Sequence, residues 1–229
     1  MEDSNSLIQI RKGKIKEIRE MNIDPFPYRY DVTDHSRAII DGYDSYFESQ
    51  KTVSVAGRIM AMRVMGKASF CTIQDRDGRI QLYIAENAVG QEKYALFKKL
   101  DLGDIIGTKG TVKKSKTGEI TVFVSEMDLL TKNIRPLPVV KEKDGETFDL
   151  FSDKELRYRN RHVDLIVTPG VKETFIKRIK IIRSIKEILN GKDFLEVETP
   201  VLQPVYGGAA AQPFTSHHNA LDITLYLRI

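Results

Sequence analysis

Between Thr52 and Asp128 the apolar residues alternate with a period of two, and no other feature restricts the fold as much. Val53, Val55, Gly57, Ile59 and Ala61 form one inward set, Cys71 and Ile73 a second, and Ile80, Leu82 and Ile84 a third. Residues two apart share a face of a strand, so each set marks a side that must be covered. Asp75-Arg76-Asp77-Gly78 reads as the hairpin turn between the second and third strands, its aspartate and glycine supplying the backbone angles of a tight turn. A helix around Val89 to Leu100, with Tyr94, Phe97 and Leu100 on one side, precedes two further strands, from Asp104 to Lys113 and from Glu119 to Leu129. The order β-β-β-α-β-β is that of an OB-fold, a five-stranded barrel whose open face commonly takes single-stranded nucleic acid.

The flanks read differently. Leu7, Ile8, Ile10, Ile15, Ile18 and Met21 recur at helical spacing with Arg11, Lys12, Lys14, Lys16 and Arg19 among them. That basic side is open to two readings, a surface leaning on phosphates or a solvated helix face. Asn133-Ile134-Arg135-Pro136-Leu137-Pro138 and the charged run from Lys141 to Glu146 have the composition of a linker, with a boundary near residue 140. Beyond it, Thr168 is expected as an N-cap and Pro169 in the first turn of a long helix carrying Phe175, Ile176, Ile179, Ile182, Ile185, Ile188 and Leu189. Gly191 is expected to close that helix in the left-handed conformation. The resulting division is 1–50, N-terminal helix and lead-in; 51–132, barrel; 133–152, linker; and 153–229, the start of a second domain.

Composition adds exclusions rather than identity. The single cysteine, Cys71, permits no intrachain disulfide and no cysteine metal cluster, which suits a reducing cytoplasm, and Cys71 itself reads as core. No apolar run approaches the ~20 residues of a membrane span, so no membrane partner is expected. A net charge of +4 allows contact with a polyanion without requiring it.

Strand parity places Phe70, Thr72 and Gln74, then Arg79, Gln81 and Tyr83, then Glu119, Thr121 and Phe123 on the outer face. Aromatic rings among hydrogen-bonding side chains suit unpaired RNA bases, which stack on the former and are read by the latter. The alternative is that this face packs against the N-terminal helix or another domain.

Gly66-Lys67-Ala68-Ser69-Phe70-Cys71-Thr72-Ile73-Gln74-Asp75 and Gly78-Arg79-Ile80-Gln81-Leu82-Tyr83 resemble the anticodon-binding barrel of the class IIb aminoacyl-tRNA synthetases, those for lysine, aspartate and asparagine. The resemblance implies that Phe70 stacks on an anticodon base and Gln81 reads the central uridine, with Glu119 and Arg63 as further contacts and Arg58 as a weaker one. Arg63 falls by parity on the inward set, unless the first strand bulges or ends after Met62. Leu156-Arg157-Tyr158-Arg159-Asn160-Arg161-His162-Val163-Asp164-Leu165, the long helix with Gly191 to Pro200, and Gly207-Gly208-Ala209 resemble the opening of the class II catalytic domain, an antiparallel α/β domain, so the whole is α+β. Its motif 1, a helix followed by a strand ending in proline, implies a homodimer interface through Phe194, Val197 and Pro200, and Gly208 is implied to line a lysine pocket. The segment from His217 to Asp222 with Tyr226-Leu227-Arg228-Ile229 is similar to the lysine enzymes in particular. Adjacent histidines in a strand point apart, so no metal is expected at His217 and His218.

The resemblance implies a ligase that activates lysine with ATP and Mg²⁺ and transfers it to tRNA-Lys. No catalytic residue is expected within this chain, because the arginines of motifs 2 and 3 would follow Ile229. The 229 residues alone are therefore expected to be inactive and to hold neither ATP nor Mg²⁺. A tRNA-binding module without catalysis, a dimerising interaction protein, and an aspartyl or asparaginyl enzyme stand as alternatives.

Overall fold

The computed structural model describes residues 2–138, 141–143, 146–148 and 151–229. Val139, Val140, Asp144, Gly145, Asp149 and Leu150 lie outside the described residues, and with them the boundary expected near residue 140. The chain forms two compact units, Met1–Val163 and Asp164–Ile229.

In the first unit the elements run α1 (Glu2–Glu20), α2 (Ser36–Asp41), α3 (Tyr43–Ser49), β1 (Thr52–Met65), β2 (Ala68–Gln74), β3 (Arg79–Ala85), α4 (Glu86–Val89), α5 (Gln91–Lys99), β4 (Ile105–Lys114) and β5 (Ile120–Thr131), followed by β6 (Lys141–Lys143), β7 (Glu146–Phe148) and α6 (Lys154–Arg159). β1 to β5 close into a barrel of order β1-β2-β3-β5-β4. β3 and β5 pair in parallel, which a hairpin cannot do, so α4, α5 and β4 carry the chain between them. The expected inward residues Val53, Val55, Ile59, Cys71, Ile73, Leu82 and Ile84 are all at most 2% exposed, and Ile106, Val122 and Val124 join them in the core. Each such side chain contributes roughly 1.5–3 kcal/mol by leaving water. Tyr94, Leu96 and Phe97 of α5 are buried with them, and the Tyr94 hydroxyl lies 2.8 Å from Ser69 Oγ and donates to the Gly66 carbonyl at 2.9 Å.

Three local expectations are corrected, and two helices are added. The single helix from Val89 to Leu100 is broken at Gly90, whose φ of 87° and ψ of 157° interrupt it and leave α4 and α5. Ala61 is exposed, not inward, because β1 bulges: Ile59 faces Ile73, Ala61 faces Thr72, and Met60 between them has no partner. The hairpin at Asp75 is held by its side chain rather than by a left-handed glycine. Asp75 accepts the Asp77 and Gly78 amides at 2.8 and 2.9 Å, and the Ser36 amide and hydroxyl at 2.6 Å each, which ties the turn to α2. The short helices α2 and α3 were not anticipated within the lead-in.

α1 docks through Ile15, Ile18 and one of its basic residues. Arg11 is 9% exposed and donates to the Asn133 and Leu102 carbonyls at 3.2 Å each, so it is not part of a solvated or phosphate-facing side. Lys14 lies 2.7 Å from Asp101. Below them the Lys132 ammonium, with no side-chain exposure, contacts Asp101 at 2.6 Å and the fully buried Asp104 at 2.8 Å. Asp104 also accepts the amides of Asp101 and Asn133 at 2.7 Å each.

The second unit contains the end of α7 (Arg161–Val167), then α8 (Val171–Asn190) and a small antiparallel sheet of order β8-β10-β9, with β8 Leu202–Gln203, β9 Thr215–His218 and β10 Ile223–Leu227. Thr168 is not an N-cap: its amide donates to the Asp164 carbonyl and ends α7, while Gly170, at φ 79°, precedes α8. Gly191 is right-handed, at φ −67°, and Asp193 takes the left-handed place at φ 63°. The Phe194 amide then returns to the Leu189 carbonyl and the Asp193 amide to that of Asn190, a Schellman closure two residues later than expected. No helix among the described residues is long and apolar enough to cross a membrane.

Candidate nucleic-acid interface

The bulge at Met60 reverses the parity of the second half of β1 and decides what stands on the outer face. Past it, Met62 faces Cys71 and packs against the core, while Arg63 is exposed and faces Phe70 across the strands. Phe70 faces Tyr83 on β3, and Tyr83 faces Phe123 on β5. Arg63, Phe70, Tyr83 and Phe123 therefore make one row across four of the barrel's five strands, all but β4. The ring centroids are 5.2 Å apart for Phe70 and Tyr83 and 5.0 Å for Tyr83 and Phe123, in tilted contacts. Lys113 Nζ stands 5.9 Å from the Phe123 ring centroid.

The next row, two residues along, is polar: Thr72 faces Gln81, and Gln81 faces Thr121. The Gln81 amide nitrogen donates to the Glu119 carboxylate, and Thr121 Oγ1 lies 2.8 Å from Gln81 Oε1. Glu119 is set by the turn from β4 to β5, where Ser115 and Glu119 exchange backbone and hydroxyl contacts around Gly118, at φ 86°. Parity places Thr121 outward, yet it is fully buried beneath Gln81 and Glu119.

Phe70, Gln81, Tyr83 and Phe123 line an open groove of about 740 Å³ together with Arg63, Met62 and Met65, overhung by Ser115, Lys116 and Thr117. Glu119 borders a second groove of about 310 Å³ that shares Thr72 and Gln81 with the first. No described residue of α1 lines either groove, and its polar contacts include Lys99, Asp101, Leu102 and Asn133 instead. Arg58 is not brought to this place. It is half-buried and its guanidinium donates to the Gly103 carbonyl at 2.7 Å. The joint at Thr117-Gly118 is legible in the sequence, but its overhang of the groove is not, because a loop between strands carries no periodicity. Met62 and Met65 were missed because the bulge, which sets their side, has no residue signature.

In the second unit Gly208 has φ 110°, a conformation side chains disfavour, so glycine is needed there for its backbone alone. Phe194 and Val197 are exposed, and residues 194–200 form no strand. The strand expected before Pro200 needs a hydrogen-bonded neighbour, and none of the described residues pairs with it. Ile179, Ile182, Ile185 and Leu189 leave α8 with an apolar side that is 43–58% exposed. His217 Nε2 is 3.3 Å from Asp222, and His218 Nδ1 accepts the Leu221 amide at 3.2 Å.

Residues 53–130 match the family of OB-fold nucleic acid binding domains, and residues 153–229 match the class II tRNA synthetases (D, K and N). Over 228 residues the chain is 50% identical to the lysine–tRNA ligase of Carboxydothermus hydrogenoformans, a match covering all of this chain and 45% of that protein. It is likewise 50% identical to the lysine–tRNA ligases of Thermoanaerobacter sp. (strain X514) and Pelotomaculum thermopropionicum, covering 44% and 43% of them. The chain thus spans less than half the length of the curated relatives it matches.

Proposed function

We propose, for a chain that joins an OB-fold nucleic acid binding domain to the opening of a class II tRNA synthetase domain (D, K and N), that it is the front part of a lysine–tRNA ligase and that its barrel reads the anticodon loop of tRNA-Lys. The observation that carries this is the adjacency of an aromatic row, Phe70, Tyr83 and Phe123, to the hydrogen-bonded pair Gln81 and Glu119 on one open face. An unpaired base stacked on Phe70 gains about 1–3 kcal/mol whatever its identity. Gln81 and Glu119 offer donors and acceptors that depend on the base, and Arg63 and Lys116 supply positive charge for the phosphates at the rim.

The whole ligase would join lysine's carboxylate to the α-phosphorus of ATP, releasing pyrophosphate, and pass the lysyl group from that adenylate to a terminal hydroxyl of the tRNA, releasing AMP. ATP and Mg²⁺ belong to that proposal. Among the described residues no group of three acidic, histidine or cysteine side chains fits a metal ion. We assign Gly208 to the main-chain lining of the lysine pocket, and Phe194, Val197, Pro200 and the apolar side of α8 to a homodimer interface. We place the protein in the cytoplasm, and the domain limits at 51–132 and 153–229.

The test is binding of anticodon stem-loops that differ only in the central base. Phe70→Ala should weaken every loop by about the stacking energy, whereas Gln81→Ala should chiefly erase the preference for central uridine. Equal affinity of the unaltered protein for all four loops would refute the reading.

A further inference from the structure

Glu119 as a carboxylate can only accept, so the Gln81 contact requires that the amide turn its NH₂ toward Glu119. That leaves Gln81 Oε1 on the other side, 2.8 Å from the Thr121 hydroxyl, which must then be the donor. The Glu119 carbonyl, 2.9 Å from the same hydroxyl, shares its single proton with Gln81 Oε1, and since it too only accepts it cannot reverse the polarity. Thr121 has no exposure, so water does not compete for its proton. We propose that Thr121 is a positioning residue that fixes which way round the Gln81 amide meets an unpaired pyrimidine, and thereby sets the preference for uridine over cytidine.

The inference rests on the reading of the barrel face given above. Uracil presents a donor at N3 beside an acceptor at position 4, and cytosine presents the reverse. An amide free to turn about its last torsion can answer either pattern, because the turn exchanges its oxygen and nitrogen. An amide held at Oε1 from beneath and at Nε2 from the side has one outward arrangement. Glu119 is exposed and open to engagement by RNA, whereas the buried Thr121 holds its end in the free and bound states alike.

Thr121→Val removes the donor and keeps the branched shape; Thr121→Ser keeps the donor. Fluorescence anisotropy with stem-loops carrying central U or central C should show the U/C affinity ratio falling about ten-fold in the valine protein, the size expected of a lost hydrogen-bonded discrimination. The serine protein should retain the ratio. A merely structural role would lower affinity for both loops together and leave the ratio in place. A valine protein with an unaltered ratio, or a serine protein that loses it as fully as valine, overturns the proposal. Should the valine protein fail to fold, Thr121→Ala is read the same way. A ratio near one in the unaltered protein would instead sink the anticodon reading itself.

Discussion

Replacing Lys132 by methionine isolates the energetic role of the ion-pair cluster that joins α1, the 101–104 loop and the end of β5. Methionine fills most of the same volume, so the change removes charge more than packing. Asp101 would keep Lys14 at 2.7 Å and remains partly in contact with solvent. Asp104 would not be so well placed: it is fully buried and would be left with the two amides of Asp101 and Asn133. Removing one member of a buried pair costs about 3–5 kcal/mol, and the amides left on Asp104 place this case near the lower end. With a urea dependence of roughly 2–3 kcal/mol per molar, the unfolding midpoint should fall by about 1–1.5 M at pH 7. Adding Asp104→Asn should recover part of the deficit at pH 7 by removing the unpaired buried charge. A loss below about 1 kcal/mol at pH 7, well under the range for breaking a buried pair, would refute the reasoning.

Three further outcomes are expected. Burial pushes Asp75 up, but the Ser36 hydroxyl and amide with the Asp77 and Gly78 amides outweigh it and hold the carboxyl below the usual range. Its stabilisation is thus complete above the ordinary carboxylate value of about 3.9 and is lost as pH falls through the lower folded value, so Asp75→Asn should lower the urea midpoint at pH 7 with a gap that closes below about pH 4. Burial pushes the Cys71 thiol up to about 12, so iodoacetamide at pH 8 should leave the native protein unlabelled and modify it in denaturant. A Cβ at Gly110 would sit 2.1 Å from the Phe123 carbonyl oxygen, so Gly110→Ala should lower unfolding free energy by about 2–3 kcal/mol in a denaturant titration and weaken stem-loop binding through Phe123.

The barrel was legible because its strands alternate cleanly. At Cys71 and Ile73, at Ile80, Leu82 and Ile84, and at Val122 and Val124 every second residue is buried, so parity returned the core and placed Phe70, Gln81 and Tyr83 on the other side, with the buried Thr121 as its exception. Parity failed where the backbone departs from period two. Nothing in Ile59-Met60-Ala61 announces a bulge, so Ala61 was misplaced and Arg63 left undecided. Helix ends were misread for a related reason. Thr168 and Gly191 are the residue types that favour caps, but such preferences are worth only about a kilocalorie per mole, and neighbouring geometry gave the positions to Gly170 and Asp193. The burial of Arg11 was invisible because its partners, the Leu102 and Asn133 carbonyls, are 91 and 122 residues away and carry no side-chain signature.

Met60, the unpaired residue of β1, separates two obligations within one strand. Upstream of it, substitutions answer to the interior; downstream, the same alternation is counted from a new origin and answers to the solvent side. Pairing Met60 with Thr72 in a regular ladder would instead set Arg63 opposite the buried Ser69 and turn the cation inward without altering its side chain. A lineage could thus retune what the groove accepts by varying Ala61, Arg63 and Met65 while the barrel's interior stays untouched.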